Sequence, residues 1–551
     1  MNVNAAARTR RVVIRALPEW RLPLRAWQTR AYEAWNAERP ADALIVATPG
    51  AGKTRFAARI THALLADRSV SRAIVVVPRE HLKAQVARAM AGAWIQLDHR
   101  FRNVDRALAG DLDGAVVTYQ QVAAAPATFA ALARVPALVL LDEIHHASEH
   151  ASWGQALREA FGAARYRVAL SGTPFRSDGN ALPFVRYEAG ECVALTSYDY
   201  ARALAEGVCR PLKFPLHGGE AEWISSDGTA MRANFEDALE RRHVGERLRT
   251  ALTQPAWLGD VLEKANAKLL ELRARGHADA GGLIAAMNQD HARSVADLLE
   301  RRCGVRAELV VSDLEGSGRR IAHFADSHAP WIVAVHMISE GVDIPRLRVG
   351  VYASNVVSEL YFRQFCGRFV RAGADRESGR EAYVYLPDDV RLRSLAAAIA
   401  GDVRRGLRAK IERDEAATAY AAANRTESAA GAFASIAATA REGHTLDLGP
   451  LFNPASVLEP PPPQRIAAPS PAADVGGPAR TLAERRERLR RELRGLVARA
   501  SAQFAVDHKL VHATLNERFG GSVATATLAD LERRRAVVNR WLERRIYDGR
   551  R

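Results

Sequence analysis

Cysteine is scarce: Cys192, Cys209, Cys303 and Cys366 lie far apart in 551 residues and form no CxxC pair. Their spacing argues against a disulfide framework and a cysteine-based zinc module. Lysine is nearly as rare, supplying seven of the 78 basic residues. No run approaches the ~20 apolar residues that a transmembrane helix needs. The opening MNVNAAARTRRVVIRALPEW lacks the apolar core of about 7–15 residues that marks a secretory signal. The expectation is a cytoplasmic protein with no membrane partner. Aromatics are 7%, hydrophobic residues 48% and charged residues 26%, an ordinary globular composition. At ~150 residues per domain the length predicts three or four folding units.

Charge is what the chain has in excess. The formal net charge is +15, which favours a polyanionic partner, nucleic acid before membrane. A genome base bias towards alanine and arginine accounts for the surplus equally well. The surplus is uneven: residues 480–551 hold eighteen Lys/Arg and nine Asp/Glu, a net +9.

From residue 43 to about 174, the runs ALIVATP, AIVVVP, GAVVTYQQV, ALVLLDE and YRVALSGTP alternate with helical stretches. Continuous apolar runs fit strands buried on both faces of a parallel sheet. The pattern recurs in GGLIAAM, AELVVS, WIVAVHM, VGVYAS and EAYVYLP. The fold class is therefore α/β, with two tandem parallel-sheet domains. The expected division is a first domain at 1–205, an interdomain linker or insertion at 206–255 and a second domain at 256–400. A helical extension at 401–457, a Pro-rich linker at 458–479 and a basic helical region at 480–551 follow.

The first strand runs into Thr48, Pro49, Gly50, Ala51, Gly52, Lys53 and Thr54. Glycines let a backbone wrap phosphates, and the N–H groups opening the next helix point at them. Lys53 is placed for the β- and γ-phosphates of ATP, and Thr54 for Mg2+. The first glycine of GxxxxGK[ST] is alanine here. A second strand ends in Asp142 and Glu143, where ligands bind in parallel sheets. Asp142 suits Mg2+, and Glu143 suits the attacking water. His145, His146 and His150 do not have zinc spacing.

With these residues the chain resembles a superfamily 2 helicase of the DExH type. Leu24-Arg25-Ala-Trp27-Gln28 is similar to the adenine-reading Q element. Val77-Pro78-Arg79 with Leu82 and Gln85 resembles motif Ia, and Val117-Thr118-Tyr119-Gln120 resembles motif Ib. Ser171-Gly172-Thr173-Pro174 resembles motif III. Ile338-Ser339-Glu340-Gly341-Val342-Asp343 is similar to motif V. Gln364, Gly367, Arg368 and Arg371 match QxxGRxxR of motif VI.

The resemblance implies two RecA-like lobes sandwiching ATP. Arg368 and Arg371 would be arginine fingers, and Gln364 would act at the γ-phosphate and link to His145. His145, Ser171 and Thr173 would couple hydrolysis to movement. Arg25 and Gln28 would lie at the base, and Gly341 and Asp343 near the cleft and ribose. Arg79, Thr118 and Ser339 would face nucleic acid. The DEIH, SGTP and QxxGR sequences depart from DEAD-box RNA helicases and look more like the bacterial group of RadD, XPB-like proteins and type III restriction translocases. The cysteine cluster usual in RadD is absent. DNA is preferred to RNA as partner, and an ATP-dependent DNA helicase or translocase is the expected function. An RNA helicase and an ATP-switched clamp that does not unwind are the alternatives. For 480–551, a DNA-binding accessory and a solvated bundle that docks proteins remain equally open.

Overall fold

The computed structural model describes residues 16–105, 107–148, 151–172, 181–188, 191–311, 317–335, 344–371, 381–404, 434–447 and 481–548. The first lobe is a seven-stranded sheet. Its strands are β1 (Asp42–Ala47), β2 (Arg72–Val77), β3 (Leu97–Asp98), β4 (Gly114–Thr118), β5 (Ala137–Asp142), β6 (Tyr166–Ser171) and, past a small hairpin of β7 (Tyr187–Glu188) and β8 (Glu191–Cys192), β9 (Thr196–Tyr198). The order is β3-β4-β2-β5-β6-β1-β9, and every pairing is parallel. All five residues of β4 and all six of β6 are buried, so their apolar runs are continuous rather than alternating. The β2–β4 contact is tight: a Cβ on Gly114 would fall 1.6 Å from the Ala73 carbonyl oxygen.

The second lobe holds β10 (Leu212–Ile224), β11 (Ala230–Asn234), β12 (Gly281–Ala286), β13 (Glu308–Val310), β14 (Trp331–Val335), β15 (Leu347–Ala353), β16 (Ala382–Pro387) and β17 (Ala434–Asp447). Its order is β11-β10-β16-β15-β12-β14-β13, with β17 also on β10. The pairings from β10 to β13 are parallel, and β11 and β17 add to β10 in antiparallel fashion. The chain is thus α/β with two mostly parallel, RecA-like sheets.

Two expected boundaries need correction. Residues 206–255 are not a linker, because β10 pairs with β16 inside the second sheet and β11 pairs with β10. The expected helical extension at 401–457 contains a strand, β17, that runs along β10 from Ala434 to Asp447. Its small and polar residues, ASIAATAREGHTLD, carry no helical apolar stripe and can serve an edge strand. The Pro-rich stretch 458–479 lies outside the described residues.

Residues 481–548 form three helices, Leu482–Phe504, His508–Phe519 and Leu528–Arg544. They close around Leu489, Leu493, Val497, Leu515, Val538 and Trp541. Thr481 caps the first helix with Glu484 in a capping box, and Gly520 ends the second at φ +69°. Among the described residues, no helix is long and apolar enough to cross a membrane.

Candidate active site

The loop after β1 turns at Gly50 and Gly52, with φ of +80° and +93°, a backbone conformation that favours glycine. It opens into the helix Lys53–Ala66. A second layer holds the loop from behind. Arg25 Nη1 donates to the carbonyls of Gly50 and Ala51, each at 2.8 Å. Trp27 Nε1 donates to Ala51 O at 3.0 Å, and Gln28 Nε2 donates to Gly52 O at 2.9 Å. Trp27 in turn stacks on Tyr198 with ring centroids 5.0 Å apart. Arg25, Gln28 and buried Ala51 thus buttress the loop rather than line the cleft.

That cleft encloses about 200 Å3. The first lobe lines it with Thr48, Pro49, Gly50, Gly52, Lys53, Thr54, Asp142 and Glu143, and the second with Gln364, Arg368 and Arg371. Lys53 Nζ pairs with Glu143 Oε1 at 2.9 Å and donates to Ala47 O at 3.1 Å. Burial and the adjacent Glu143 charge push the Asp142 carboxyl up, against the pull of Lys53. Burial pushes Glu143 up too, but Lys53, His145 and the Gly172 N–H outweigh it and keep the carboxyl low. Two neighbouring carboxyls therefore differ, with Glu143 the stronger acid of the two.

His145, buried, joins the lobes. Gln364 Nε2 faces His145 Nε2 at 3.1 Å. His145 Nδ1 is 3.3 Å from Ser171 Oγ and 3.6 Å from Glu143 Oε2. The Gly172 N–H donates to Glu143 Oε2 at 3.2 Å. A line of contacts thus runs from the Glu143 carboxylate through His145 to the second lobe. Close packing completes the junction: a Cβ on Gly367 would meet Pro49 Cγ at 2.7 Å, and one on Gly50 would meet Arg371 Cγ at 3.0 Å. The N–H of Arg210 donates to Val370 O at 2.8 Å.

Thr54 hydroxyl and Asp142 carboxylate are hard oxygen donors that fit Mg2+, and they share this cleft. Of the residues expected on nucleic acid, Arg79 and Thr118 do not line it. Arg79 is the N-cap residue of the helix Glu80–Ala91. Thr118 caps the helix Tyr119–Ala124 by accepting from the Gln121 N–H, which engages its hydroxyl. Thr173, Ser339, Gly341, Asp343 and His150 fall outside the described residues. Sequence reasoning missed Trp27 as a loop support, and Gln85, Val86 and His146 as part of the cleft lining. The indole donor of Trp27, inside the Q-like element, was the available signal.

Residues 21–176 match the family model described as "Type III restriction enzyme, res subunit". The chain is 43% identical over 384 residues to an uncharacterized protein, Rv2917, of Mycobacterium tuberculosis, covering 68% of this chain and 63% of that one. It therefore spans under two thirds of that relative's length. A DNA 3'-5' translocase, XPB2, of Sulfurisphaera tokodaii is 23% identical over 382 residues, covering 64% of this chain and 79% of that one. Among solved structures, a fragment of a putative HsdR subunit of a type I restriction enzyme from Vibrio vulnificus matches with TM-score 0.47 and 17% identity, covering 69% of this chain and 66% of that chain. Residues 21–176 thus carry the domain that this family model describes, and the cleft brings its motifs together with those of the second lobe.

Proposed function

We propose that the chain is a nucleic-acid-dependent ATPase that moves along or unwinds DNA. The observation that carries this reading is the two-sided cleft, where Lys53, Thr54, Asp142 and Glu143 face Gln364, Arg368 and Arg371. In this reading the loop from Thr48 to Thr54 and the Lys53 ammonium hold the β- and γ-phosphates, with Arg25 and Gln28 bracing the loop from behind. Mg2+ on Thr54 and Asp142 would neutralise phosphate charge. Lys53 would then exchange its ion pair with Glu143 for the phosphates, leaving that carboxylate to orient water. Phosphoryl transfer needs positioning and charge more than covalent chemistry, and an arginine brought in from outside contributes ~10³–10⁵ in rate. Because Arg368 and Arg371 belong to the other lobe, turnover would follow lobe closure, and a nucleic acid gripped by both lobes would control it.

The archaeal relative named as a DNA 3'-5' translocase supports DNA over RNA. Steady-state ATPase measurements with single-stranded DNA, duplex DNA and RNA test the reading. Stimulation by DNA is expected. Stimulation by RNA alone, or by nothing, overturns it. Triplex displacement driven by ATP then separates movement from static binding.

A further inference from the structure

The chain crosses from the first lobe to the second between β9 and β10, through the helix Tyr200–Ala205 and residues 206–211. The first half of the crossing is tied to the first lobe. Glu206 pairs with Arg30 at 3.1 Å and accepts from the Tyr198 hydroxyl at 2.9 Å. The N–H groups of Val208 and Cys209 both donate to Ala203 O, at 2.8 and 3.0 Å. The second half is tied to the second lobe. Arg210 Nη1 donates to Leu347 O at 3.1 Å and Nη2 to Pro345 O at 3.2 Å, while the Ala382 N–H donates to Pro211 O at 3.0 Å. The change from one lobe to the other therefore falls between Cys209 and Arg210, both 3% exposed.

These two residues lie against the second arginine of QxxGRxxR. Cys209 forms an antiparallel bridge with Arg371, and the Arg210 N–H donates to Val370 O at 2.8 Å. The phosphate loop meets the same corner: Cys209 Sγ donates to Pro49 O at 3.6 Å, and a Cβ on Gly50 would stand 3.0 Å from Arg371 Cγ. Burial pushes the Cys209 thiol up to about 12, so it stays a protonated donor. From the first lobe, the Tyr200 hydroxyl donates to Arg210 O at 2.8 Å. Both lobes thus hold Arg210, the residue that holds the backbone beside Arg371. Tyr200, Cys209 and Arg210 do not themselves line the cleft.

We infer that Tyr200, Cys209 and Arg210 are positioning residues for Arg371: the crossing fixes the backbone of this arginine in register with the phosphate loop, so that its guanidinium meets the γ-phosphate at one place. The inference rests on the functional reading above. Placement matters because a displacement of about 1 Å can cost ~10² in rate. A thiol contact is weak alone, so the hold is shared among the three residues. Tyr200→Phe and Cys209→Ala each remove one heavy atom, and the full chain carrying either is expected to fold with an unchanged thermal midpoint. The kcat for nucleic-acid-stimulated ATP hydrolysis should fall about fivefold in Tyr200→Phe, one hydrogen bond's worth, and about two- to fivefold in Cys209→Ala. KM for ATP and equilibrium affinity for ADP should stay at wild-type values, a split that a merely structural role would not give. Both substitutions are then repeated in an Arg371→Ala chain, with single-turnover hydrolysis of radiolabelled ATP reading its slow rate. Residues that act through Arg371 lose their effect there, so neither substitution should slow that chain further. Undiminished losses in that background, ADP affinity falling in parallel with kcat, or wild-type kcat in both variants overturns the inference. A wild-type chain that hydrolyses no ATP with any nucleic acid overturns the functional reading itself.

Discussion

Gly367→Ala tests whether the arginines of the second lobe act only when the junction closes to its full depth. Gly367 follows the Glu359–Cys366 helix with φ −58° and ψ −16°, a conformation alanine adopts freely, so the substitution carries no backbone strain. Its whole effect is the new methyl, which would stand 2.7 Å from Pro49 Cγ, 2.9 Å from Pro49 Cβ and 3.1 Å from the Arg363 carbonyl. Ordinary contact begins near 3.4 Å, so Pro49 and Gly367 must separate by about 0.7 Å. Pro49 sits in the phosphate loop and Arg368 follows Gly367, so the displacement falls on the groups that meet ATP. A misplacement of this order costs up to ~10² in rate. The expected result is a kcat for DNA-stimulated ATP hydrolysis lowered by roughly 10- to 100-fold, with thermal unfolding little changed because the contact lies between lobes. Turnover within twofold of wild type would refute the closure argument.

Glu143→Gln removes the partner of Lys53 and is expected to lower kcat by about 10²–10⁴. Equilibrium nucleotide binding should show ATP still held. Tyr119→Phe deletes the hydroxyl that donates to the Asp142 carbonyl at 2.9 Å and leaves its ring stacked on Trp153. At ~1 kcal/mol for such a bond, stimulation by DNA should fall about fivefold while basal turnover persists, as an ATPase titration would show. Gly495 has open space where a Cβ would go, so Gly495→Ala should stabilise the Leu482–Phe504 helix by roughly 0.5–1 kcal/mol, read as slower amide exchange there. Burial lowers the pKa of His217 to about 4, below its unfolded value of about 6.5. The unfolded state then binds the proton more readily, so stability present above about pH 6.5 is lost as pH falls towards 4, by roughly 2–3 kcal/mol. Denaturant titration of wild type and His217→Phe between pH 7 and 4.5 should show the slope flattened in the variant.

The central strands were legible because parallel strands buried on both faces must be apolar throughout, as in ALVLLD of β5. β10 was not, because LKFPLHGGEAEWI carries a proline and two glycines and shifts register between Pro215 and His217, which breaks both periodicities. β3 has two residues, too few for any pattern. In the cleft, chemistry tied to adjacent residues could be read directly, as with Lys53 and Thr54 or Asp142 and Glu143. What stayed hidden was long-range aim. The Arg25 and Gln28 side chains reach carbonyls some two dozen residues away, and nothing in the local sequence says that their polar ends face the loop. The Pro49–Gly367 contact is likewise a property of two lobes meeting.

The arginine surplus looks different once side chains are placed. Arg247, Arg486, Arg534 and Arg210 are at most 3% exposed. Arg210 donates to the carbonyls of Leu347 and Pro345, Arg534 to Asn516 Oδ1 and the Gly521 carbonyl, and Arg486 to the Ala526 carbonyl. Burial lowers the pKa of Arg210 to about 9. A planar fork that serves several acceptors at once is work a lysine ammonium does poorly, so these cations hold the fold together rather than project into solvent. Others in the bundle are paired on its surface, Arg535 and Arg488 both with Glu492 and Arg533 with Asp530. The net +9 of residues 480–551 therefore overstates what the bundle offers a polyanion. Arg486 instead lies 3.9 Å from Asp111 and 4.0 Å from Asp98, two acids of the first lobe. The exposed Arg100 and Arg102, the latter paired with Asp105 at 3.1 Å, belong to the first lobe, on a turn whose sequence, HRFRN, carries no motif. In this chain, net charge by segment counts arginines, and burial decides which of them solvent or a partner can reach.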